Sequence, residues 1–134
     1  GVLQFVPAET VNEAERRAGA NGNIAPCPLP EQWNSMYLFD VLIHNTGRTQ
    51  DRMLYDTATW QLMLTGHDVA FQTSRSRPAY LKELPITIGD CWQERLLALS
   101  RDVVRDVFRG TLDQRRRRAL LARRNLLLQA AAED

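Results

Sequence analysis

Apolar side chains recur at three- and four-residue spacing in one stretch of the first half of the chain. They are Trp33, Met36, Tyr37, Phe39, Leu42 and Ile43. Residues at this spacing lie on one face of an α-helix, so the pattern predicts a helix from Pro30 to about His44 with a broad buried stripe. Pro30 suits the first turn of that helix, where a backbone N–H would have no partner.

Two short apolar runs follow this helix and predict a β-hairpin. Met53–Tyr55 and Trp60–Leu64 have the composition of strands, and residues 56–59 between them are typical of a turn. A further short strand is predicted at Leu3–Val6. Residues 19–30 are rich in Gly, Asn and Pro and predict an irregular loop.

Capping patterns predict shorter helices around these elements. Thr10-Val11-Asn12-Glu13 has the spacing of a capping box and predicts a helix to about Arg17. Asp90–Gln93 predicts the start of a second helix, which continues through Leu99. Residues 72–77 between these regions are polar and are predicted to be exposed.

The last third of the chain predicts two more helices. One begins at Ser100 or Arg101 and ends near Gly110. Thr111–Gln114 fits a further capping box ahead of a long final helix that reaches about Ala131. The order of helix, loop, hairpin and three helices predicts a mostly helical α+β fold, in a single domain over residues 1–134.

The charge balance gives no argument for a polyanionic partner. Lys and Arg together number 17 and Asp and Glu 16, which leaves a net charge of +1. No apolar run approaches the roughly 20 residues that a membrane span needs. The first residues have no signal-peptide pattern, which favours the cytoplasm but leaves the location open.

Three segments carry a resemblance to a known family. They are Phe39–Arg48 with the sequence FDVLIHNTGR, the predicted hairpin with MLY and WQLML, and His67–Phe71 with HDVAF. They resemble an uncharacterised bacterial kinase-like family, whose approximate pattern is F-D-x-L-I-x-N-T-D-R-N-x-G-N-L-L, then W-K-L-W-x-I-D-H, then T-x-A-F. That family is similar to HipA-type and phosphoinositide 3/4-kinase-like folds. Leu3–Gln4, Glu13–Arg16, Pro30–Asn34 and Leu121–Arg124 agree as well, so the resemblance covers nearly the whole chain.

The resemblance implies the helical C-terminal lobe of a protein-kinase-like fold. In such folds ATP and Mg²⁺ bind between two lobes, and the lysine that holds the phosphates comes from the N-terminal lobe. Lys82 is the only lysine of this chain and cannot readily replace that residue. We therefore expect the N-terminal lobe to be absent.

The departures from the family pattern fall at its three catalytic positions. The catalytic-loop Asp of the family corresponds to Gly47, its metal-binding Asn to Arg52 and its metal-binding Asp to Gly66. Glycine has no side chain to accept a proton or to bind a cation, and Arg52 brings a positive charge to the place of Mg²⁺. The resemblance therefore implies a degenerate, pseudokinase-type domain that acts as a binding or scaffold module, with no cofactor expected.

Shifted carboxylates offer an alternative. Asp51 neighbours Arg52, and Asp68 lies two residues after Gly66, so both are weak candidate metal ligands. In this alternative the chain is an active phosphotransferase that uses ATP and Mg²⁺, with the N-terminal lobe supplied elsewhere.

Other residues of the pattern are retained and are weak candidates for the site. Asn45, Arg48 and His67 agree with the family. His67 follows a predicted strand, where a hydrogen-bonded structural role is favoured over that of a ligand or an acid–base group. His44 lies near a predicted helix C-terminus and is expected to interact favourably with the helix dipole.

The aromatic and sulfur-containing residues give no independent sign of a site. Trp33, Trp60 and Trp92 each lie in an apolar pattern, which favours core packing over stacking on bases. Cys27 and Cys91 have no metal-ligand spacing with the histidines, and two free thiols are favoured over a disulfide.

Arg115–Arg118, with Arg123 and Arg124, form the strongest basic cluster. Consecutive helical residues point around the helix axis and do not form one stripe. A solvated surface partly paired with Asp113 is therefore favoured. The alternative is a basic adaptor that binds nucleic acid or acidic partners through this helix.

A lone C-terminal lobe would expose one wall of the nucleotide cleft. We expect another protein or a second copy of the chain to cover that apolar surface, so a protein partner or a homo-oligomer is predicted. Nucleic acid is not favoured as a partner, and the substrate and cellular role are left open.

Overall fold

The computed structural model describes residues 5–19 and 26–133. Within them the fold is α+β, 51% helical, with five α-helices and a small antiparallel sheet of three strands. This confirms the mostly helical α+β class, whereas the kinase-like C-terminal lobe stays a prediction. The described residues form two compact units, one of residues 5–19, 26–36 and 47–67 and one of residues 37–46 and 68–133. The single domain expected over residues 1–134 stays a prediction.

The first unit contains the sheet. Strand β1 is Thr10–Asn12, β2 is Met53–Asp56 and β3 is Leu62–Leu64. Strand β2 lies in the centre and pairs antiparallel with both neighbours. The hairpin of β2 and β3 confirms the prediction from sequence, whereas β1 was predicted as the start of a helix.

Helix α1, Glu13–Ala18, has its N-cap at Asn12, two residues after the predicted cap at Thr10. The side chain of Asn12 accepts from the backbone N–H of Glu15 at 2.9 Å, and the Glu15 carboxylate accepts from the N–H of Asn12 at 2.7 Å. This is a capping box with Asn12 as its N-cap. Thr10 could not be the cap, because residues 10–12 pair with β2.

The predicted strand at Leu3–Val6 lies partly outside the described residues. Phe5 and Val6 are exposed and belong to no strand. The described parts of the loop predicted at residues 19–30 end where the next helix begins, at Leu29.

Helix α2, Leu29–Ile43, confirms the long helix predicted from the apolar stripe. Its first part belongs to the first unit and its last part to the second. The helix ends at His44, whose φ of 50° is left-handed, and the N–H of Asn45 returns to the carbonyl of Asp40 at 3.0 Å. A left-handed residue followed by such a bond is a common way to end a helix, although glycine is usual at that position.

The second unit contains three further helices, α3 at Asp90–Ala98, α4 at Arg101–Val107 and α5 at Gln114–Glu133. All three were predicted within a few residues. Ser100 caps α4 by accepting from the N–H of Val103. The predicted caps at Asp90 and Thr111 were wrong. Asp90 is already the first residue of α3, which follows Gly89. At the start of α5 the capping side chain is Asp113, which accepts from the N–H of Arg116 at 2.8 Å.

Each unit has its own buried apolar cluster. In the first unit the cluster is formed by Leu29, Tyr55 and Trp60. In the second unit it is formed by Leu38, Val41, Leu81, Leu96 and Leu127. Trp33 packs on the first cluster and Trp92 on the second, so the tryptophans serve the cores as predicted.

Candidate functional site

The three positions at which the kinase-like resemblance places catalytic groups lie together in the first unit. Gly47 precedes a short 3₁₀ turn at Gln50–Arg52, which leads into β2, and Gly66 follows β3. Arg52 joins them: its Nη1 donates to the carbonyl of Gly47 at 3.2 Å and to the carbonyl of Gly66 at 3.3 Å. The side chain of Arg52 therefore lies between the two glycines.

Gly66 leaves the space that Arg52 fills. A Cβ atom built on Gly66 would lie 2.3 Å from Cδ and 2.6 Å from Nε of Arg52. Gly66 also has a φ of +69°, which most residues with a side chain avoid. The present position of the Arg52 side chain therefore requires glycine at residue 66.

Arg48 makes a second link between the same segments. Its Nη1 donates to the carbonyls of Arg52 at 3.1 Å and Thr65 at 2.8 Å. Its Nη2 lies 3.3 Å from Nε2 of His67. Of the four carbonyl contacts of the two arginines, those to Thr65 and Gly66 fix the loop of residues 47–52 against the end of β3, and those to Gly47 and Arg52 lie within the loop.

This arrangement has the electrostatic sign opposite to that of a magnesium site. A Mg²⁺ site uses carboxylates and other oxygen ligands to hold a cation. Here two guanidinium groups point at main-chain carbonyls, which are the acceptors that a cation would otherwise need. Protein groups thus satisfy these oxygens, and the local charge opposes entry of a metal cation.

Asp51 and Asp68, the two alternative candidate metal ligands, have different surroundings. Asp51 is exposed, and a hydrogen bond from the side chain of Thr49 lowers the pKa of its carboxyl group, with a smaller contribution from the charge of Arg52. Asp68 is also exposed and belongs to the second unit. In the described part of the chain no group of three or more His, Cys, Asp or Glu side chains converges in a way that could hold a metal ion.

Asn45 is a structural residue in the second unit. It is fully buried, and its Nδ2 donates to Asp40 at 3.3 Å. The hydroxyl of Tyr80 donates to the other carboxylate oxygen of Asp40 at 2.5 Å. Asp40 is also fully buried, so these bonds serve a carboxylate that has no contact with solvent.

The two histidines differ from each other. His67 is exposed beside Arg48. His44 is 8% exposed, and burial, followed by the charge of Arg123, lowers its pKa. Burial thus disfavours the protonated imidazole that an interaction with the helix dipole would need, and that expectation stays a prediction.

A buried ion-pair network that the sequence reading missed lies beside the sheet. The carboxylate of Glu13 accepts from Arg16 at 2.8 Å, from Arg17 at 2.7 Å and from the hydroxyl of Tyr55 at 2.8 Å. The indole of Trp33 donates to the same hydroxyl at 2.8 Å. The hydrogen bond from Arg16 is the main reason why the pKa of Glu13 is lowered to about 2, and burial raises the pKa of Tyr55 to about 12. The spacing of Glu13 to Arg16 and Arg17 was a usable signal.

Arg123 was assigned to a solvated surface, and that assignment was wrong. The side chain is fully buried in the second unit. It donates to the carbonyls of Leu42 at 2.9 Å and Gln72 at 3.1 Å, and also to that of Ser74. Burial lowers its pKa to about 10. Three main-chain carbonyls can hold a guanidinium inside a protein because each supplies an acceptor without adding a second charge.

Comparison of the chain with family models, with curated proteins and with solved structures gives no significant match. The resemblance to the kinase-like family therefore stays a prediction. Among the described helices none has the length and apolar character to span a membrane.

Proposed function

We propose that this chain is the helical C-terminal lobe of a kinase-like fold that has lost phosphoryl transfer and acts as a binding or scaffold module. The observation that supports the proposal is the bridge from Arg52 to the carbonyls of Gly47 and Gly66. The family pattern has an acid, an amide and a second acid at these three positions. This chain has Gly47, Arg52 and Gly66 at these positions, and the Arg52 side chain bonds to the carbonyls of both glycines.

The residue types at these three positions depend on one another. This dependence favours a structure with its own role over an accumulation of unrelated changes. Arg52 fits only because Gly66 has no Cβ. The guanidinium group then brings one positive charge to the place where the resemblance puts Mg²⁺. An internal cation can keep the loop and the strand end together without a metal, so the surface around them stays available for binding.

A protein partner or a second copy of the chain remains part of this proposal. Val103 and Val107 lie one turn apart on α4 and are 41% and 65% exposed, and Leu97 on α3 is 62% exposed. Large apolar side chains exposed in this way are typical of contact surfaces when they are grouped. All three belong to the second unit.

The alternative proposal is an active phosphotransferase that uses Asp51 and Asp68. Both carboxylates are exposed to solvent. This alternative predicts that the unmodified chain binds Mg²⁺ or Mn²⁺ in a saturable way, whereas the scaffold proposal predicts that it does not.

Metal binding by designed revertants tests the proposal. The triple variant G47D/R52N/G66D restores the groups of the family pattern, and G47N/R52N/G66N is its uncharged match. We expect Mn²⁺, measured by calorimetry and by water-proton relaxation, to bind only the first variant, because two carboxylates replace a repelling guanidinium.

Two outcomes contradict the proposal. Saturable Mn²⁺ binding by the unmodified chain that disappears in D51N/D68N would favour the phosphotransferase. Equal behaviour of the two triple variants, with both folded by circular dichroism, would remove the reason for a kinase-like site at these positions.

A further inference from the structure

A cleft of about 260 Å³ lies between α4 and α5 in the second unit. Its lining is formed by Arg101, Val104, Arg105, Gln114, Arg117, Arg118 and Leu121. Four of these seven residues are arginines. The cleft has no residue in common with the site around Arg52.

Each helix presents one face to the cleft. Residues 101, 104 and 105 of α4 are three and four positions apart, and residues 114, 117, 118 and 121 of α5 follow the same spacing. Val104 is fully buried and Leu121 is half-buried, so the cleft has an apolar floor below its charged rim. Arg115 and Arg116 do not line it, since they lie on other faces of α5.

The charge of the cleft is only partly compensated. Arg105 pairs with Asp102 at 2.9 Å and with Asp106 at 3.1 Å. Arg101, Arg117 and Arg118 have no ion pair within residues 5–19 and 26–133. Three guanidinium groups without partners around one small space repel each other, and a bound anion would relieve that repulsion.

The surroundings of the cleft favour a compact anion over a long one. The carboxylates of Asp102, Asp106 and Asp113 are 74%, 58% and 53% exposed on the same two helices. They would repel a polyanion that extends past the cleft, such as a nucleic-acid strand. A compact group with two or three negative charges would contact the arginines and avoid these acids.

We propose that the cleft between α4 and α5 binds the phosphate or diphosphate group of a small molecule. The planar guanidinium fork matches phosphate oxygens in pairs, and arginine is favoured wherever such two-point recognition occurs. The apolar floor at Val104 and Leu121 offers a surface for the organic part of the ligand. The inference is independent of the proposed function.

Binding of pyrophosphate to matched double variants tests this site. R117A/R118A removes two charges from the cleft, and R115A/R116A removes two charges from the same helix outside it. We expect calorimetry to show at least about tenfold weaker binding for R117A/R118A and less than about twofold for R115A/R116A, since charge-assisted contacts are lost only in the first. R101A, on the other helix, should weaken binding in the same direction, and circular dichroism checks the fold of each variant.

Four results would overturn the proposal. The unmodified chain fails to bind pyrophosphate, or the two double variants lose binding equally. In the third, a single-stranded RNA of about 20 nucleotides binds with a steep dependence on salt and both double variants weaken it, which would make α5 a nucleic-acid surface. An acidic peptide that binds in place of pyrophosphate would likewise contradict a phosphate site.

Discussion

The side chain of Arg52 occupies the space that a Cβ atom at residue 66 would need. Any side chain at residue 66 would begin within 2.3 Å of the Arg52 side chain as it now lies. The clashing atoms belong to the flexible end of an arginine, which can move away, but only by giving up its bonds to the carbonyls of Gly47 and Gly66. Neither residue can therefore be understood alone.

A double-mutant cycle measures this dependence. We expect G66A to lower the free energy of unfolding by about 2–3 kcal/mol, from the left-handed φ and from displacement of Arg52. In an R52A background the same change should cost about 1 kcal/mol less, because no guanidinium is left to displace. Urea denaturation followed by fluorescence gives the four values.

The natural control for this cycle is Gly19, where a Cβ would meet nothing within 4 Å. G19A should show no coupling with R52A. If G66A costs the same in both backgrounds, the fit between Arg52 and Gly66 has no energetic importance.

At the scale of elements, polar side chains that bond to main-chain groups add to the apolar contacts between elements. Helix α5 reaches the end of α2 and the segment of residues 72–74 through the buried Arg123. In the first unit, Gln32 of α2 makes a similar link to the hairpin: its Nε2 donates to the carbonyl of Trp60 at 3.1 Å, and its Oε1 accepts from the N–H of Leu62 at 2.6 Å. Both links use main-chain groups, so the elements keep their relative positions without specific side-chain partners.

Removal of the Arg123 guanidinium should be strongly destabilising. R123M keeps most of the volume but leaves the carbonyls of Leu42, Gln72 and Ser74 without a donor. We expect a loss of about 3 kcal/mol or more in the free energy of unfolding, since each buried unpaired acceptor costs roughly 1–3 kcal/mol. Chemical denaturation followed by circular dichroism measures it.

R115M is the matched control for this prediction. Arg115 is exposed on the same helix, so its replacement should change the stability by less than about 0.5 kcal/mol. Similar losses for the two variants would mean that the buried bonds of Arg123 contribute little.

At the scale of the whole molecule, each unit contains a buried titratable group whose pKa is lowered, Glu13 in the first and His44 in the second. Glu13 in the first unit is held as a carboxylate by Arg16, Arg17 and Tyr55, with its pKa lowered to about 2. In the second unit, burial, followed by the charge of Arg123, lowers the pKa of His44 below its ordinary value of 6.5. Both groups therefore make the protein less stable in acid.

The stability should fall in two separable steps as the pH is lowered. Below pH 6.5 the unfolded chain binds a proton at His44 before the folded chain does, so the free energy of unfolding begins to decrease. Between pH 4.5 and about 2 the same holds for Glu13, whose stabilising effect is complete above pH 4.5 and is lost as the pH falls towards 2. The Glu13 step is on the order of 3 kcal/mol.

Thermal unfolding at a series of pH values checks both steps. H44Q should reduce the upper step and E13Q the lower one, whereas H67Q and E31Q, at exposed positions, should leave the profile unchanged. A profile of H44Q or E13Q that matches that of the unmodified chain would assign the acid sensitivity to other groups.

Local patterns were sufficient for part of this fold. The apolar repeat at 30–44 predicted α2, and the two apolar runs predicted the hairpin, because both signals depend on neighbours in sequence. The caps at Asn12 and Asp113 were placed two residues early, since each box can be read in more than one register. For the box at Thr10–Glu13, only the pairing of Thr10–Asn12 with β2 decides which residue is the cap.

The candidate site around Arg52 was likewise only partly predictable from the sequence. Gly47, Arg52 and Gly66 could be singled out from the sequence, since their residue types differ from the kinase-like pattern, but their contact could not. A hydrogen bond between residues 52 and 66 depends on the hairpin that brings them together.

By itself, the sequence determined the helices and the hairpin, because short-range spacing fixes these features. Only the tertiary structure decided which arginines are exposed and which are buried. Arg117, Arg118 and Arg123 look alike along the chain, yet two line a cleft and one is enclosed by main-chain carbonyls. The reason is that burial of a charge depends on acceptors supplied by residues up to 81 positions away.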